Sequence, residues 1–312
     1  MKILIIGGCG YIGSRLYKYF EDSSHSVDTV DLEWFGNFSN PNNLNIDYKS
    51  LTKEFLNKYQ TIILLAAHSS VQMCQGNLLP VFKNNVSNFI DLLSLINKDQ
   101  SFIYASSSSV YGNISADYVD ETCDEFVPYN YYDLSKQQID AYSKLSDKTF
   151  FGLRFGTVNG PSPNFRKDIM INAMTSSALN EKKVKCFNAD TNRPILSISD
   201  LCRAISSITE NGNYSNRGIY NLASFNSTAG EIASSVAKAL NVTCEYIDND
   251  NEETEKANPK LKSKYYDFSI DCSKFKNEFS FEFEDDAESI AKSISHEFPS
   301  INLTHRADAK LY

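Results

Sequence analysis

Short apolar runs alternate with stretches of helical spacing in the first half of the chain, and this alternation restricts the possible folds most strongly. The apolar runs are rich in β-branched residues, which is typical of strands buried on both faces. They occupy residues 3–6, 27–30, 61–65, 102–105 and 149–155. Helical spacing is found at residues 11–21, 51–58, 81–96 and 132–145. Strands that alternate with helices predict an α/β fold with a doubly wound parallel sheet.

The pattern becomes less regular after Gly160-Pro161-Ser162-Pro163. There we expect helices at 169–180, from 200 and at 228–240, a turn at 193–194, a strand at 218–222 and an exposed loop at 248–259. The 312 residues suffice for about two domains. We therefore predict a larger domain at 1–160, completed by segments near 195–225, and a smaller, discontinuous α/β substrate-binding domain at 161–312. The alternating Phe279, Phe281 and Phe283 predict a half-buried strand that contributes to the core.

Composition excludes several classes of partner. The chain has 30 Lys+Arg and 39 Asp+Glu, a net charge of −9, without a basic cluster, which argues against nucleic acid or an anionic membrane as a partner. Seven scattered cysteines without a Cys-x-x-Cys pair predict reduced thiols and no metal site. The first apolar run is too short for a signal peptide, and no stretch approaches the ~18 apolar residues of a membrane span. We therefore expect a cytoplasmic protein.

A glycine-rich turn, Gly7-Gly8-Cys9-Gly10-Tyr11-Ile12-Gly13, joins the first apolar run to the first helix. Its Gly-x-x-Gly-x-x-Gly spacing allows a tight turn, close approach of a pyrophosphate and close packing of the helix. Asp31 ends the second apolar run, where its carboxylate would accept both hydroxyls of an adenosine ribose. That carboxylate would also repel a 2′-phosphate, so we predict a Rossmann-type site that favours NAD over NADP.

A tyrosine and a lysine are one helical turn apart in Tyr132-Asp133-Leu134-Ser135-Lys136. A lysine cation beside a phenol lowers the phenol pKa toward the range useful for a general base. Tyr-x-x-x-Lys alone is common, and by itself it fits two surface side chains better than a catalytic pair. The serine run Ser106-Ser107-Ser108-Ser109 follows the fourth apolar run, at the edge where doubly wound sheets bind ligands, and favours a catalytic site.

Together these features resemble the extended short-chain dehydrogenase/reductase family, in its NAD-dependent nucleotide-sugar epimerase/dehydratase branch. The resemblance extends from Met1 to about Phe298. Besides the motifs above, the matching segments are Asp47, Leu65-Ala66-Ala67, Asn85-Val86, Val110-Tyr111-Gly112, Leu153-Arg154-Phe155, Gly160-Pro161, Arg193-Pro194 with Asp200, and Asp271-Cys272-Ser273-Lys274.

By position, the resemblance implies that Tyr132 is the acid/base, Lys136 its pKa partner and ribose ligand, and Ser107 the hydroxyl that binds the reacting sugar oxygen. It implies that NAD is held by Gly7, Gly10, the N–H groups of Tyr11 and Ile12, Gly13, Asp31, Asp47, Leu65, Ala66, Ala67, Asn85, Tyr132 and Lys136. Substrate contacts are implied for Asn172 and for Arg193, a phosphate-binding position. Arg166, in a Ser-Pro-x-x-Arg variant, is a second candidate for an anionic substrate. Each arginine could instead form a surface salt bridge.

Departures from the family pattern bear on the reaction. The 4,6-dehydratases of this family follow the active hydroxyl with Asp-Glu, whereas this chain has Ser108-Ser109. Enzymes that epimerise C3 and C5 use a cysteine at the position of Ser108 and a histidine in the smaller domain, and neither is present. Asn159 replaces the usual tyrosine before Gly160-Pro161, near the expected nicotinamide or sugar.

We therefore expect an NAD-dependent epimerase of a nucleotide-diphosphate sugar, acting at C4 through a transient 4-keto intermediate with NAD retained. An oxidase or 4-keto reductase would use the same residues for net redox chemistry. A catalytically silent dinucleotide-binding protein is disfavoured because Ser107, Tyr132 and Lys136 are all present. Segments 81–96 and 132–145 resemble the helix pair of the family's dimer interface, so we expect a homodimer.

Overall fold

A computed structural model describes residues 1–76, 78–112, 118–123, 126, 128–247 and 266–303. The loop expected at 248–259 and the tail at 305–312 lie outside the described residues. The strands in this part of the chain are β1 (Lys2–Ile6), β2 (Ser26–Val30), β3 (Thr61–Leu64), β4 (Ser101–Ser107), β5 (Thr149–Phe155), β6 (Thr157–Asn159), β7 (Asn164–Phe165), β8 (Lys183–Phe187), β9 (Asn192–Ser197), β10 (Gly218–Leu222), β11 (Phe225–Thr228), β12 (Thr243–Ile247) and β13 (Asn302–Leu303).

The described α-helices are α1 (Tyr11–Glu21), α2 (Lys53–Leu56), α3 (Val71–Cys74), α4 (Leu78–Val81), α5 (Asn88–Leu95), α6 (Tyr131–Leu145), α7 (Met170–Glu181), α8 (Ile198–Asn211), α9 (Ala229–Ala239), α10 (Ser273–Phe279) and α11 (Ala287–Glu297). A π-helical segment, Phe82–Ser87, joins α4 to α5. Short 3-10 helices occupy Tyr48–Ser50, Ser108–Tyr111, Tyr214–Asn216 and Phe298–Ser300. None of the described helices has the length and apolar character needed to cross a membrane.

Six parallel strands form the central sheet in the order β10-β5-β4-β3-β1-β2. The expected α/β fold with a doubly wound parallel sheet is confirmed. The late strand at 218–222 was expected to return to this sheet, and β10 pairs with β5 at its edge. Because the strands are parallel, their carboxyl ends meet along one edge of the sheet, where a doubly wound fold opens a crevice.

Helices cover both faces of the sheet because β1 and β3 are buried apolar strands and the neighbouring strands carry buried apolar side chains on both faces. On one face, Phe20 of α1, Ile205 of α8 and Phe275 of α10 pack against Ile3 and Phe151. On the other face, helices α5 and α6 pack against β1, β3 and β4 in a second buried cluster. A fully buried phenylalanine or isoleucine contributes about 1.5–3 kcal/mol relative to exposure, so these clusters hold the sheet together.

A third apolar cluster lies outside the sheet and joins α7, α9 and α11 to β8. Its members include Ile171, Val184, Ile232, Val236 and Ile290. Strands β6, β9 and β11 form a small separate sheet in the order β11-β9-β6, and β8 pairs with β12. These elements lie close to the carboxyl edge of the large sheet through the direct connection from β5 to β6.

The expected turn at Arg193-Pro194 is wrong, because both residues lie in β9. This strand pairs antiparallel with β11, opposite Asn226 and Ser227. Proline lacks the N–H that a central strand needs on both sides. Pairing of β9 with β6 begins only at Ile195, so Pro194 lies where β9 has a neighbour on one side, and its missing N–H breaks no ladder hydrogen bond.

The strand expected around Phe279, Phe281 and Phe283 is also wrong, although these side chains do belong to the core. Phe279 ends α10, and its ring stacks on Phe275 one turn earlier with centroids 4.8 Å apart. Ser280 follows in a left-handed conformation with φ of 50° and ends the helix. The alternation therefore arises from a helix end followed by an irregular segment that keeps Phe281 and Phe283 packed on the same cluster.

Candidate active site

A cavity of about 380 Å³ lies at the carboxyl edge of the central sheet. Gly7 and Asp31 line one end, Ser107 and Tyr132 line the middle, and Arg193 lines the part formed by the small sheet. This is the place where a doubly wound fold binds its ligands. Among the described residues, no group of three or more His, Cys, Asp or Glu side chains could hold a metal ion.

The glycine turn between β1 and α1 leaves no room for side chains at two of its positions. A Cβ atom at Gly7 would lie 2.5 Å from the Ala66 nitrogen, and Gly7 has a φ of +93°. A Cβ atom at Gly13 would lie 2.0 Å from the Gly7 carbonyl oxygen. A Cβ atom at Gly10 would meet nothing closer than that oxygen, at 3.4 Å, and would extend into the cavity. The turn therefore forms a cradle at the start of α1 that admits a pyrophosphate.

The acidic side chains expected to bind adenosine line the same end of the cavity. Asp31 follows β2 and accepts hydrogen bonds from the N–H groups of Cys9 at 3.0 Å and Glu33 at 2.6 Å. Burial raises the pKa of Asp31. Asp47 caps a 3-10 helix through the Lys49 N–H, and its carboxylate lies 2.9 Å from the Lys49 ammonium. Both carboxylates are thus held in fixed positions before any ligand binds.

Leu65, Ala66 and Ala67 line the cavity directly beside the glycine turn. Asn85, however, is not among the residues that line this cavity. Its carboxamide accepts from the His68 N–H at 2.8 Å and donates to the His68 carbonyl oxygen at 3.1 Å. Asn84 lines the cavity instead. The π-helical segment is therefore a local distortion beside the site, with one asparagine at the cavity wall and its neighbour behind it.

Three side chains from two elements meet in the middle of the cavity. Asn130 caps α6 through the Asp133 N–H, and the helix then places Tyr132 and Lys136 on one face. The Lys136 Nζ atom lies 5.7 Å from the centre of the Tyr132 ring and donates to the Ala105 carbonyl oxygen at 2.6 Å. Ser107, at the end of β4, forms a hydrogen bond with Tyr132. The expected convergence of Ser107, Tyr132 and Lys136 is thus observed.

Burial dominates the electrostatics of these groups. It raises the pKa of Tyr132 to about 12, and the Ser107 hydrogen bond opposes that shift. It also lowers the pKa of Lys136 to about 8. The expected lowering of the Tyr132 pKa by Lys136 is therefore not found in the protein alone, because desolvation outweighs the nearby charges. At neutral pH the phenol is protonated, and the lysine is largely cationic.

The two candidate arginines both line the cavity but differ in their partners. Arg193 donates to the Tyr266 carbonyl oxygen at 3.0 Å, and burial lowers its pKa. Within the described part of the chain, Arg193 has no carboxylate in an ion pair. Arg166 forms a bidentate pair with Asp168, at 3.0 and 2.5 Å. Arg193 is therefore the better placed to receive an anionic group.

Asn172 is fully buried and is not among the residues that line the cavity. Its carboxamide accepts from the Gly160 N–H at 2.9 Å and donates to the Tyr11 hydroxyl at 3.1 Å and the Arg166 carbonyl oxygen at 2.9 Å. The expected contact of Asn172 with a substrate stays a prediction, since these hydrogen bonds already use its carboxamide. Asn172 ties α7 to the glycine turn and to the segment that carries Arg166.

Several lining residues were not expected from the sequence. Trp34 and Phe35 line the cofactor end, and Tyr266 and Phe268 line the far end. Trp34 is the only tryptophan in the chain and lies three residues after Asp31, a spacing that could have drawn attention to it. The other residues carry no motif, because contacts between distant segments place them at the cavity.

Comparison with known proteins agrees with this geometry. The family model described as "NAD dependent epimerase/dehydratase family" matches residues 3–223. Protein CapI of Staphylococcus aureus is 30% identical over 236 residues, which cover 67% of this chain and 70% of the relative. ADP-L-glycero-D-manno-heptose-6-epimerase of Brachyspira hyodysenteriae is 28% identical over 263 residues, 76% of this chain and 80% of the relative.

Solved structures show the same fold. UDP-N-acetylglucosamine 4-epimerase from Methanobrevibacter ruminantium M1 superimposes with a TM-score of 0.81 at 20% identity, over 96% of this chain and 98% of that one. The family match covers more than two thirds of this chain and includes the glycine turn, the serine run and the Tyr132/Lys136 pair. The cofactor of the family is NAD, and the glycine cradle and Asp31 fit it. The chain belongs to the NAD dependent epimerase/dehydratase family.

Proposed function

We propose that this protein is an epimerase of a nucleotide-activated sugar and inverts C4 through a transient 4-keto intermediate. The observation that carries the proposal is the convergence of Ser107, Tyr132 and Lys136 on one cavity that extends from the glycine turn to Arg193. Two of the proteins described above are named as epimerases of ADP- and UDP-sugars, which supports a nucleotide sugar as the substrate.

The carboxylates that line the cavity lie away from its reacting end, and this distribution favours epimerisation over elimination of water. Elimination needs an acid and a base close to the reacting carbons. Among the described lining residues, the carboxylates are Asp31 and Asp47, both at the cofactor end. Ser108 and Ser109 occupy the positions where the family's 4,6-dehydratases carry Asp-Glu. Without carboxylates at the reacting end, hydroxyl oxidation and reduction is the chemistry that the site supports best.

NAD would be held by the glycine turn with Tyr11 and Ile12, by Asp31 and Asp47, by the Leu65–Ala67 wall, and by Tyr132 and Lys136. When bound, it supplies a reversible hydride acceptor for the carbon that bears the hydroxyl. A site that ends each cycle with the cofactor in its starting state has no need to exchange it.

The protein's own groups handle the proton and the oxygen. Tyr132 exchanges a proton with the C4 hydroxyl, Ser107 donates a hydrogen bond to that oxygen, and the Lys136 cation favours negative charge on the phenol. Arg193 holds the anionic diphosphate, and Arg166 is a second contact once its pairing with Asp168 loosens. Because the net charge is −9, an anionic substrate depends on these local cations.

We use the apolar clusters to assign residues to a cofactor domain and a substrate domain. We place the cofactor domain at residues 1–160 and near 195–225, since α8 and β10 pack in the clusters of the central sheet. The substrate domain at 161–312 includes the cluster of α7, α9 and α11. In this division the cavity lies where the two domains meet.

A homodimer also forms part of the proposal. The segment at α4 and the π-helical turn exposes Leu79 and Phe82, at 66% and 45%. Neighbouring α6 exposes Tyr142 and Leu145, at 49% and 88%. These exposed apolar side chains lie on the two neighbouring helices that resemble the family's dimer pair. A two-fold interface with a second copy of these helices would bury them.

Purified protein incubated with UDP-, GDP-, dTDP-, CDP- and ADP-sugars tests the reaction. We expect one C4-epimeric pair to interconvert without added NAD and without net absorbance at 340 nm. Tyr132→Phe removes the acid/base and should lower kcat by about 10²-fold or more. Tyr131→Phe changes the exposed neighbour on the same helix and serves as the matched control. Stoichiometric NADH would point instead to the net oxidase, and full activity of Tyr132→Phe would refute the mechanism.

A further inference from the structure

A carboxyl group that the mechanism above does not use lies directly after the catalytic tyrosine. Asp133 is fully buried and is not among the residues that line the cavity. Its Oδ2 atom accepts hydrogen bonds from the Tyr266 hydroxyl at 2.7 Å and the Asn130 amide at 2.8 Å. A buried carboxyl is costly unless its charge is compensated or it can hold a proton.

The same carboxyl also interacts with the serine run. Among the described residues, Oδ1 of Asp133 has no hydrogen bond of ordinary geometry. The Ser109 hydroxyl nevertheless interacts with the carboxyl and opposes the upward shift that burial causes in its pKa. Tyr266 and Asn130 therefore satisfy Oδ2 of Asp133, whereas Oδ1 has no such partner and the carboxyl also interacts with Ser109.

Ser109 continues the contact toward the reacting groups. Its Oγ atom lies 2.8 Å from Oγ of Ser107, and its N–H donates to the same Ser107 oxygen at 3.2 Å. Ser107 in turn forms a hydrogen bond with the Tyr132 phenol. Hydroxyl groups both donate and accept, so they can pass a proton along such a series. The series connects the phenol to a carboxyl that is closed off from the cavity.

The mechanism needs such a connection. Tyr132 can accept the proton of a sugar hydroxyl only after its own proton has left, and burial makes that departure unfavourable. Lys136 already donates to Ala105, and a cation has no free lone pair to receive a proton. A carboxylate reached through two hydroxyls is a suitable acceptor for the Tyr132 proton. Because this carboxylate is buried, it can hold the proton and return it to Tyr132 within the same cycle.

We propose that Ser109 and Asp133 complete a proton pathway that begins at Tyr132 and Ser107, an inference that rests on the proposed function. The phenol O–H bond breaks as its proton passes to Ser107, the Ser107 proton passes to Ser109, and the Ser109 proton forms an O–H bond with the carboxylate. The phenol becomes phenolate, the carboxylate becomes a carboxylic acid, and both hydroxyls are regenerated. Asp133 acts through two serines and is a positioning residue rather than a catalytic one.

The other titratable groups that face Asp133 come from three elements. Tyr132 precedes it on α6, Cys74 approaches from α3, and Tyr266 approaches from the segment that leads to α10. Burial raises the pKa of the Cys74 thiol to about 11, so it is neutral near pH 7. The Tyr266 hydroxyl donates a hydrogen bond to Asp133 and so stabilises the carboxylate. Among these described neighbours, Asp133 is the carboxyl group, and burial raises its pKa.

A double-mutant cycle tests whether Asp133 acts through Ser109. Ser109→Ala and Asp133→Asn should each lower kcat about tenfold or more, with KM changed less than about twofold. If the two residues share one pathway, Asp133→Asn introduced into the Ser109→Ala variant should lower kcat by less than about twofold. Asp147→Asn, the same substitution just beyond α6, is the matched control and should keep full activity. Multiplicative effects of the two substitutions would overturn the pathway.

A measurement without sugar separates failure of the pathway from failure of the proposed function. The ¹³Cζ signal of Tyr132, assigned by its absence in Tyr132→Phe, should show an inflection when Asp133 titrates, well below the phenol's own titration. This inflection should vanish in Asp133→Asn, fall by half or more in Ser109→Ala and persist in Asp147→Asn. A Tyr132 signal with no such inflection in the unmodified protein would refute the pathway, whichever sugar the enzyme converts.

Discussion

In the glycine turn, one added methyl group would disturb either the fold or ligand binding, depending on which glycine carries it. Gly13→Ala would place a methyl group 2.0 Å from the Gly7 carbonyl, a contact between backbone groups that no side-chain movement can relieve. Gly10→Ala would place its methyl group in the cavity, with no contact closer than 3.4 Å. Gly10 also has an ordinary φ of −71°, so alanine is not strained there.

We therefore predict different outcomes for the two substitutions. Gly13→Ala should lower the free energy of unfolding by about 1–3 kcal/mol, the usual cost of overpacking. Gly10→Ala should leave thermal unfolding of the protein without NAD nearly unchanged but weaken NAD affinity about tenfold or more. Thermal unfolding and isothermal titration with NAD measure the two quantities. Unchanged NAD affinity in Gly10→Ala would show that the cradle is not the pyrophosphate site.

Lys136 should lower stability while it serves the reaction. Its pKa of about 8 lies below the ~10.4 of an unfolded chain. Between those values the unfolded chain binds more protons, so this residue makes stability rise with pH across that window. Below pH 8 its destabilising effect is complete. Stability measured from pH 7 to 10.5 should show this slope.

Lys136→Met replaces the buried cation with an apolar side chain of similar length. We predict that it raises the free energy of unfolding at pH 7 by about 1–3 kcal/mol, and that the gain shrinks toward pH 10.5. Lys144→Met, at an exposed position of the same helix, should leave stability unchanged. Denaturant titration at several pH values measures both variants. Lower stability of Lys136→Met at pH 7 would show that the ammonium is compensated in the folded protein.

At the residue scale, the sequence predicted the positions of the candidate reacting groups better than the positions of the residues expected to support ligand binding. Tyr132 and Lys136 share a helix face by spacing alone, and Ser107 follows a recognisable strand. Asn85 and Asn172 were expected at ligands, yet both carboxamides are used by backbone groups of distant segments. Such pairing depends on tertiary contacts that a single sequence does not reveal.

At the scale of elements, α6 is held to the sheet by a buried ion pair. The Arg154 guanidinium on β5 lies 2.9 Å from the Asp140 carboxylate on α6, and the Tyr104 hydroxyl donates to the same carboxylate at 3.1 Å. Arg154 also donates to the Tyr111 hydroxyl at 2.9 Å. These contacts fix the helix that carries Tyr132 and Lys136 against the strand next to the site.

Arg154→Leu should therefore cost about 3–5 kcal/mol of stability, because it leaves the Asp140 carboxylate buried without its partner. Changing Asp140 to Leu as well should recover much of that loss. Lys98→Ala, at the exposed pair with Asp147, should leave denaturant unfolding unchanged. A small effect of Arg154→Leu would mean that the ion pair does not hold α6 in place.

The helices and strands with the strongest local sequence pattern were predicted most accurately. Apolar runs without alternation identified the parallel strands, and the helical period identified α1 and α6. The failures had tertiary causes. Pro194 remains in a strand because β6 begins to pair one residue later. The helix expected at 81–96 begins earlier and contains the π-helical turn beside the cavity, which no periodic pattern announces.

At the scale of the whole molecule, the proposed dimer depends on the exposed apolar side chains of α4, the π-helical turn and α6. Leu145→Glu places a charge at the most exposed of these positions and should convert the dimer to a monomer. Phe187→Glu, at an exposed site on β8, should leave the assembly unchanged. Light scattering after gel filtration should give twice the 35.2 kDa chain mass for the unmodified protein. A monomer at micromolar concentration would contradict this proposal.

The central claim concerns a hydride that leaves C4 and returns to it, while Tyr132 exchanges a proton with the oxygen on that carbon. Proton NMR of the sugar panel in D₂O, with the protein as purified, tests this most directly. We predict that a C4 epimer forms with its C4 hydrogen retained as protium and without net NADH, because the hydrogen never exchanges with solvent. Deuterium at carbon in the product, or NADH in stoichiometric amount, would contradict C4 epimerisation by Ser107, Tyr132 and Lys136.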